Sequence, residues 1–106
     1  PEPKRDYLYI EDFCSLIKSM IENKKKLIGE TFNVGSGEVY SNYEVANIVR
    51  QQFSIEAPVK SLDTRRKNDV LDGSIDVSKI KQFLDWEPKY NLVQGVKDSV
   101  EREFGL

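Results

Sequence analysis

The sequence predicts a small mixed α/β domain that is rich in helix, with three or four helices and two or three short strands in an α/β or α+β arrangement. Its 106 residues suit a single domain, and no internal repeat or linker divides residues 1–106. Apolar residues make up 39% and charged residues 32%, a balance typical of a folded chain rather than a disordered one. The apolar residues recur at helical and strand spacings in separate segments, which is why both element types are expected.

The first segment predicts a strand followed by a helix. Residues 6–10 carry aromatic and branched side chains, which favour a short strand. Glu11 and Asp12 place negative charge at the start of the helix, and the Lys24–Lys26 run places positive charge at its end. The apolar side chains of this helix share one stripe, which consists of Phe13, Leu16, Ile17, Met20 and Ile21.

The middle segment predicts a strand, a turn and a second helix. Thr31–Val34 has strand character, and Gly35-Ser36-Gly37 breaks it. Ser41 and Glu44 have the spacing of a capping box, so a helix should begin there, with its apolar residues directed inward as far as Phe53. Residues 59–62 would form a third strand.

The last segment begins with a polar loop and ends with two helices. Residues 63–74 are so rich in charge that the loop is either disordered or functional. Asp76 or Ser78 caps a short helix that ends at Trp86-Glu87-Pro88. Asn91 caps the final helix.

The composition excludes several classes of function. The formal net charge is −2, so no overall positive field favours nucleic acid. The chain has no histidine, which removes the commonest general base and metal ligand, and we expect no metal site. The single cysteine, Cys14, falls among apolar positions and is expected to be buried. No apolar run is long enough to span a membrane and no signal peptide is visible, so we expect a cytoplasmic protein that does not bind membranes.

Two groups of residues could bind a phosphorylated ligand. The Gly35-Ser36-Gly37 segment could cradle a phosphate with backbone N–H groups, but it matches no nucleotide-binding glycine motif and a plain tight turn is the favoured interpretation. In the polar loop, Arg66 could clamp a phosphate with two parallel N–H bonds, and Asp69 could accept bonds from two ribose hydroxyls. The alternative for Arg66 and Asp69 is a solvated loop with weak local ion pairs. Arg5, alone, has the pattern of a surface arginine.

Three segments taken in order resemble one enzyme family. They are residues 5–12 (RDYLYIED), residues 31–37 (TFNVGSG), and residues 66–69 (RKND) leading into residues 76–88. Their order and spacing resemble the carboxy-terminal, substrate-binding part of extended short-chain dehydrogenases/reductases, the NAD-dependent epimerases and dehydratases that act on nucleotide sugars. The resemblance covers nearly all of the chain.

The resemblance implies roles for three residues. Arg5 and Arg66 match arginines that bind the substrate diphosphate, and Asp69 matches an acid that holds the nucleotide ribose. Between Arg66 and Asp69 the family often has Pro-Gly, whereas this chain has Lys67-Asn68. The family's glycine-rich dinucleotide turn and its Tyr-x-x-x-Lys pair match nothing here. The resemblance therefore implies a substrate-binding subdomain that lacks the Rossmann half, carries no catalytic residue and binds no cofactor itself.

The partners that the resemblance implies are a nucleoside-diphosphate sugar and the amino-terminal Rossmann half of the same enzyme, which would hold NAD or NADP. An exposed face left by that half could cause the fragment to dimerise or self-associate. Two alternatives stay open. The parent enzyme could be a reductase of the same family that acts on a carbonyl compound without a nucleotide, or the chain could be a non-catalytic helical interaction module.

Overall fold

The computed structural model describes residues 3–58, residue 60 and residues 71–105. Within these residues the chain forms five helices and three short strands, so the predicted mixed α/β class is confirmed. The elements in chain order are β1 (Lys4–Asp6), α1 (Ile10–Glu22), α2 (Lys24–Leu27), β2 (Val39–Ser41), α3 (Asn42–Gln52), β3 (Asp72–Gly73), α4 (Ser78–Phe83) and α5 (Leu92–Phe104). The fifth helix arises because the lysine run forms the separate short turn α2 instead of ending α1.

The strands form one small sheet in the order β2-β1-β3, with β1 in the centre. β2 pairs antiparallel with β1, and the register places Arg5 opposite Tyr40. β3 pairs parallel with β1 and places Arg5 opposite Gly73. Side chains alternate between the two faces of a strand, so Arg5 lies on one face of the sheet while its neighbour Asp6 lies on the other.

The main hydrophobic core lies between α1, α4 and the segment that follows α4. Its buried residues are Leu16, Leu27, Ile80, Leu84 and Trp86. The partly buried side chains that pack around them are Leu8, Met20, Phe32, Val34 and Phe83. At the edge of this core, the rings of Phe32 and Phe83 pack edge-on with their centroids 5.2 Å apart.

The predicted helix starts are confirmed where a capping residue defines them. Ser41 accepts from the Glu44 N–H at 3.1 Å, and the Glu44 carboxylate accepts from the Ser41 N–H at 3.4 Å, which completes the capping box of α3. Asn91 caps α5 in the same reciprocal manner with Gln94. The predicted cap of α4 by Asp76 or Ser78 is wrong, because the N-cap residue is Val77; the Asp76 side chain accepts from the Ser78 N–H at 2.9 Å in the turn before the helix.

The predicted strand positions are wrong in two places. The first strand is Lys4–Asp6 and not residues 6–10, because Ile10 already belongs to α1. Thr31–Val34 is not a strand in the described structure; its Phe32 and Val34 instead pack against the core as an extended segment. The short strand Asp72–Gly73 falls within the predicted loop. The third strand that we predict at residues 59–62 lies, apart from Lys60, outside the described residues.

The single apolar stripe predicted for α1 is divided between two sides of the helix. Leu16 is fully buried and Met20 packs against the core. Phe13, Ile17 and Ile21 face outward and are exposed, and the burial expected of Cys14 is wrong, since it is exposed on the same side. α1 therefore carries more apolar surface than this domain covers.

Candidate functional site

Arg5 is the predicted site residue whose position the structure describes. It lies in the middle of the central strand β1, and one of its guanidinium nitrogens donates to the Lys4 carbonyl at 3.3 Å. Its strand neighbours across the sheet are Tyr40 on β2 and Gly73 on β3. Arg5 is half-buried, which is unlike the surface arginine that the residue alone would indicate.

Gly73 allows β3 to approach β1 closely beside Arg5. The Lys4 N–H donates to the Leu71 carbonyl at 2.8 Å, which starts the pairing. A Cβ placed on Gly73 would lie 2.4 Å from the Lys4 carbonyl oxygen and 3.2 Å from Cδ of Arg5. The absence of a side chain at Gly73 therefore gives room both to the backbone of β1 and to the stem of Arg5.

Arg66 and Asp69, the other two predicted site residues, lie outside the described residues. The chain runs from them directly into β3, because Asp72 follows Asp69 by three positions. The carboxylate of Asp72 accepts from the Ser74 N–H at 3.0 Å, and this bond holds the pKa of Asp72 below its usual range. β3, which follows Arg66 and Asp69 in the sequence, is paired with the strand of Arg5.

Tyr7, which follows β1, and Asn42, which follows β2, form a polar contact that the sequence pattern does not indicate. The Tyr7 hydroxyl donates to Oδ1 of Asn42 at 2.8 Å. Tyr7 comes two residues after Arg5, and Asn42 is the first residue of α3, two residues after Tyr40. The period-2 alternation that begins at Arg5 could have indicated Tyr7, whereas the contact with Asn42 depends on the pairing of β1 with β2.

The Gly35-Ser36-Gly37 segment is a turn whose donors bind a carboxylate of this chain. Asp6 accepts from the Ser36 N–H at 2.8 Å, from the Ser36 hydroxyl at 2.9 Å and from the Gly37 N–H at 2.9 Å. Gly35 is buried against Asp6, and Gly37 has the positive φ of 87° that a side chain disfavours. The backbone donors that a phosphate cradle would offer are already occupied, so this segment does not fit a nucleotide pyrophosphate.

An apolar cavity of about 680 Å³ opens between α3, α5 and the connection from β1 to α1. Its walls include Tyr7, Ile10, Val49, Phe53 and Phe104. The volume is in the range of small-molecule sites, and its lining is mostly apolar with few polar groups. Tyr7, which lines this cavity, follows Arg5 by two positions in the sequence.

Two residues that line that cavity, Tyr9 and Arg102, belong to a polar network. The Tyr9 hydroxyl donates to the Asp98 carboxylate, and this bond is the main reason why the pKa of Tyr9 is raised above its usual value of 10.0. Arg102 contacts Asp98 at 2.9 Å and also pairs with Glu11, so the start of α1 is joined to α5. The network holds the two helices together, and both partners of each ion pair are partly exposed.

Comparison with known proteins identifies the family. Residues 1–99 match the family model described as GDP-mannose 4,6 dehydratase. The chain is 31% identical over 97 residues to a UDP-glucose 4-epimerase of Mycoplasma pneumoniae, and the match covers 89% of this chain and 29% of that protein. The chain thus spans less than a third of this relative's length.

Solved structures agree with the sequence comparison. A dTDP-glucose 4,6-dehydratase from Bacillus anthracis, crystallised with NAD, has a TM-score of 0.73 at 28% identity over 94% of this chain and 31% of its own. A UDP-glucose 4-epimerase from Thermotoga maritima, crystallised with UDP-glucose, has a TM-score of 0.70 at 27% identity over the same shares. The fold, the order of the motifs and the family match agree, and the chain belongs to the NAD-dependent epimerase/dehydratase family of nucleotide-sugar enzymes.

Proposed function

We propose that this chain is the substrate-binding part of an NAD- or NADP-dependent nucleotide-sugar epimerase or dehydratase, and that it holds a nucleoside-diphosphate sugar through Arg5, Arg66 and Asp69. In this role the two arginines bind the diphosphate and the aspartate accepts from the ribose hydroxyls. The chain supplies position rather than chemistry, since the cofactor and the proton-transfer residues come from the rest of the enzyme.

The observation that carries the proposal is the parallel pairing of β1 with β3. This pairing places β3, which begins three residues after Asp69, beside the strand of Arg5, although 60 residues separate Arg5 from Arg66 in the sequence. Lys4, although it lies in the same strand as Arg5, could not replace Arg66 as a ligand of the diphosphate, because a guanidinium offers a planar pair of donors to a phosphate and an ammonium does not. The β1–β3 pairing supports a single diphosphate site to which both Arg5 and the segment before β3 contribute.

Calorimetric titration of the intact protein that contains this chain tests the proposal. UDP, dTDP, GDP and CDP are titrated into wild type and into the Arg66→Ala and Asp69→Asn variants. Loss of a charge-assisted pair should weaken the best-binding nucleotide by roughly tenfold or more. Arg65→Ala and Asp63→Asn remove the same charges from the same segment and serve as controls that should leave affinity within about twofold. Equal affinity of wild type and Arg66→Ala would falsify the diphosphate role.

The outward side of α1 is the surface that we propose for contact with the Rossmann half. Ile10, Phe13, Ile17 and Ile21 are exposed by 61%, 43%, 40% and 66%, and they recur at the helical spacing of one face. Isolated exposed apolar residues are ordinary, but a row of four on one helix marks a contact surface. The chain spans 29% of the Mycoplasma pneumoniae relative, so most of such an enzyme is available to cover this row.

A charge placed in that row distinguishes an interface from a solvated face. Ile17→Glu should lower the melting temperature of the intact protein by several degrees but leave that of the isolated 106-residue chain nearly unchanged. It should also reduce the concentration-dependent light scattering that we expect of the isolated chain. Lys18→Glu, on the solvent side of α1, is the matched control. Equal effects of Ile17→Glu on both proteins would exclude this surface as the contact.

A further inference from the structure

We propose that Asp6 and Gly73 are positioning residues for Arg5, one acting from each side of the central strand. The inference rests on the proposed function, because it assigns what places the Arg5 guanidinium against the diphosphate. Neither residue needs to contact the ligand for this role. Asp6 fixes the strand from its opposite face, and Gly73 provides the space that the side chain of Arg5 occupies.

Asp6 anchors β1 to the turn that leads into β2. Its carboxylate accepts the three bonds from Ser36 and Gly37, all between 2.8 and 2.9 Å. The fit is tight, because a Cβ on Gly35 would lie 2.7 Å from Oδ2 of Asp6. Since successive side chains of a strand point to opposite faces, holding Asp6 on one face fixes the direction in which Arg5 leaves the other.

Gly73 controls the other side of the same strand. A side chain there would meet the Lys4 carbonyl at 2.4 Å and both Cα and Cδ of Arg5 at 3.2 Å. The backbone oxygen cannot yield without loss of the β1–β3 pairing. Gly73 therefore determines the room that the stem of Arg5 has on this side of the strand.

Precise placement matters for an arginine that binds a diphosphate. Two parallel N–H bonds form only when the guanidinium plane faces two phosphate oxygens, so a small rotation of the strand removes one of them. A flexible lysine would tolerate such a rotation, whereas a planar fork does not. The ligand class that this arrangement serves is a nucleoside diphosphate, with or without an attached sugar.

A double-mutant cycle on the intact protein tests whether Asp6 acts through Arg5. The variants are Asp6→Asn, Arg5→Gln and the combination, and the probes are UDP, dTDP, GDP and CDP beside their nucleosides. Asp6→Asn should weaken the best-binding diphosphate by roughly tenfold and leave the matching nucleoside within twofold. In the Arg5→Gln background the same change should cost less than about twofold, because the group that it places is gone.

Gly73→Ala and Ser36→Ala extend the cycle. Gly73→Ala should show the same dependence on Arg5 with a larger loss. Ser36→Ala removes one of the three bonds to Asp6 and is the milder variant if Asp6→Asn does not fold; its smaller loss should also vanish in Arg5→Gln. The positioning role alone is overturned if these changes weaken diphosphate binding equally in the wild-type and Arg5→Gln backgrounds, or if they leave the affinity unchanged. A wild type that binds none of the four diphosphates, or an Arg5→Gln that binds as wild type does, overturns the proposed function as well.

Discussion

Asp12 joins the start of α1 to the segment before α5, and its removal should destabilise the whole domain. The side chain is 1% exposed, and its two oxygens accept from the Lys89 N–H at 2.8 Å and the Tyr90 N–H at 3.1 Å. Each bond to a charged acceptor contributes about 1.5–3 kcal/mol. Some water will reach the exposed Lys89 in the variant, so we expect Asp12→Ala to lower the free energy of unfolding by about 3 kcal/mol.

Trp86 provides the assay, because it is the only tryptophan of the chain and lies beside this network. Its indole N–H donates to the Ser15 hydroxyl at 2.9 Å, which in turn donates to the Asp12 carbonyl at 2.8 Å. Urea unfolding followed by tryptophan fluorescence gives the free energy directly. Asp12→Asn keeps one acceptor and should lower the free energy of unfolding by about half as much as Asp12→Ala. The exposed Asp85→Ala is the control, and a loss for Asp12→Ala no larger than for this control would refute the reasoning.

Three further predictions concern close contacts and alkaline pH. Gly95→Ala should destabilise the domain by about 1 kcal/mol in urea, despite the better helix propensity of alanine, because the new Cβ would lie 3.1 Å from the Tyr9 ring; a more stable variant contradicts this. Gly35→Ala should destabilise it further by displacing the Asp6 carboxylate, with amide exchange of Ser36 and Gly37 rising first. The bond to Asp98 raises the pKa of Tyr9 above 10.0. The contribution of this bond to the stability of the fold is therefore complete below pH 10 and is lost as pH rises through the higher pKa of the folded state. Tyr9→Phe should remove this alkaline loss of stability.

The helices could be predicted because their signals are local. The Ser41–Glu44 capping box and the Asn91 cap each involve residues three positions apart, and α3 and α5 begin where these signals place them. Strand positions could not be predicted as well, because a three-residue strand is defined by its partners. Thr31–Val34 has good strand composition but no ladder in the described sheet, whereas Asp72–Gly73 has poor strand composition and pairs with β1.

The candidate site could be predicted only in part for the same reason. The family resemblance predicts that Arg5 binds the diphosphate, but it does not predict the place of Arg5 at the centre of a sheet between Tyr40 and Gly73. Gly73 is indistinguishable in the sequence from a loop glycine, since only its distance to the Lys4 carbonyl shows why a side chain is excluded. Close backbone approach is a property of tertiary structure, and no local pattern contains it.

The two aspartates near the start of the chain show how this small domain stays ordered without a large core. From the sequence, Asp12 is predicted to be a charged residue at the start of a helix, and Asp6 is predicted to be a residue of a strand. Each instead accepts two or more N–H bonds from a distant loop, 30 residues away for Asp6 and 77 residues away for Asp12. Neutral acceptors would make weaker bonds at the same positions. Residues 4–12 therefore contact both the turn before β2 and the segment before α5. The contacts that position the strand of Arg5 also stabilise the domain.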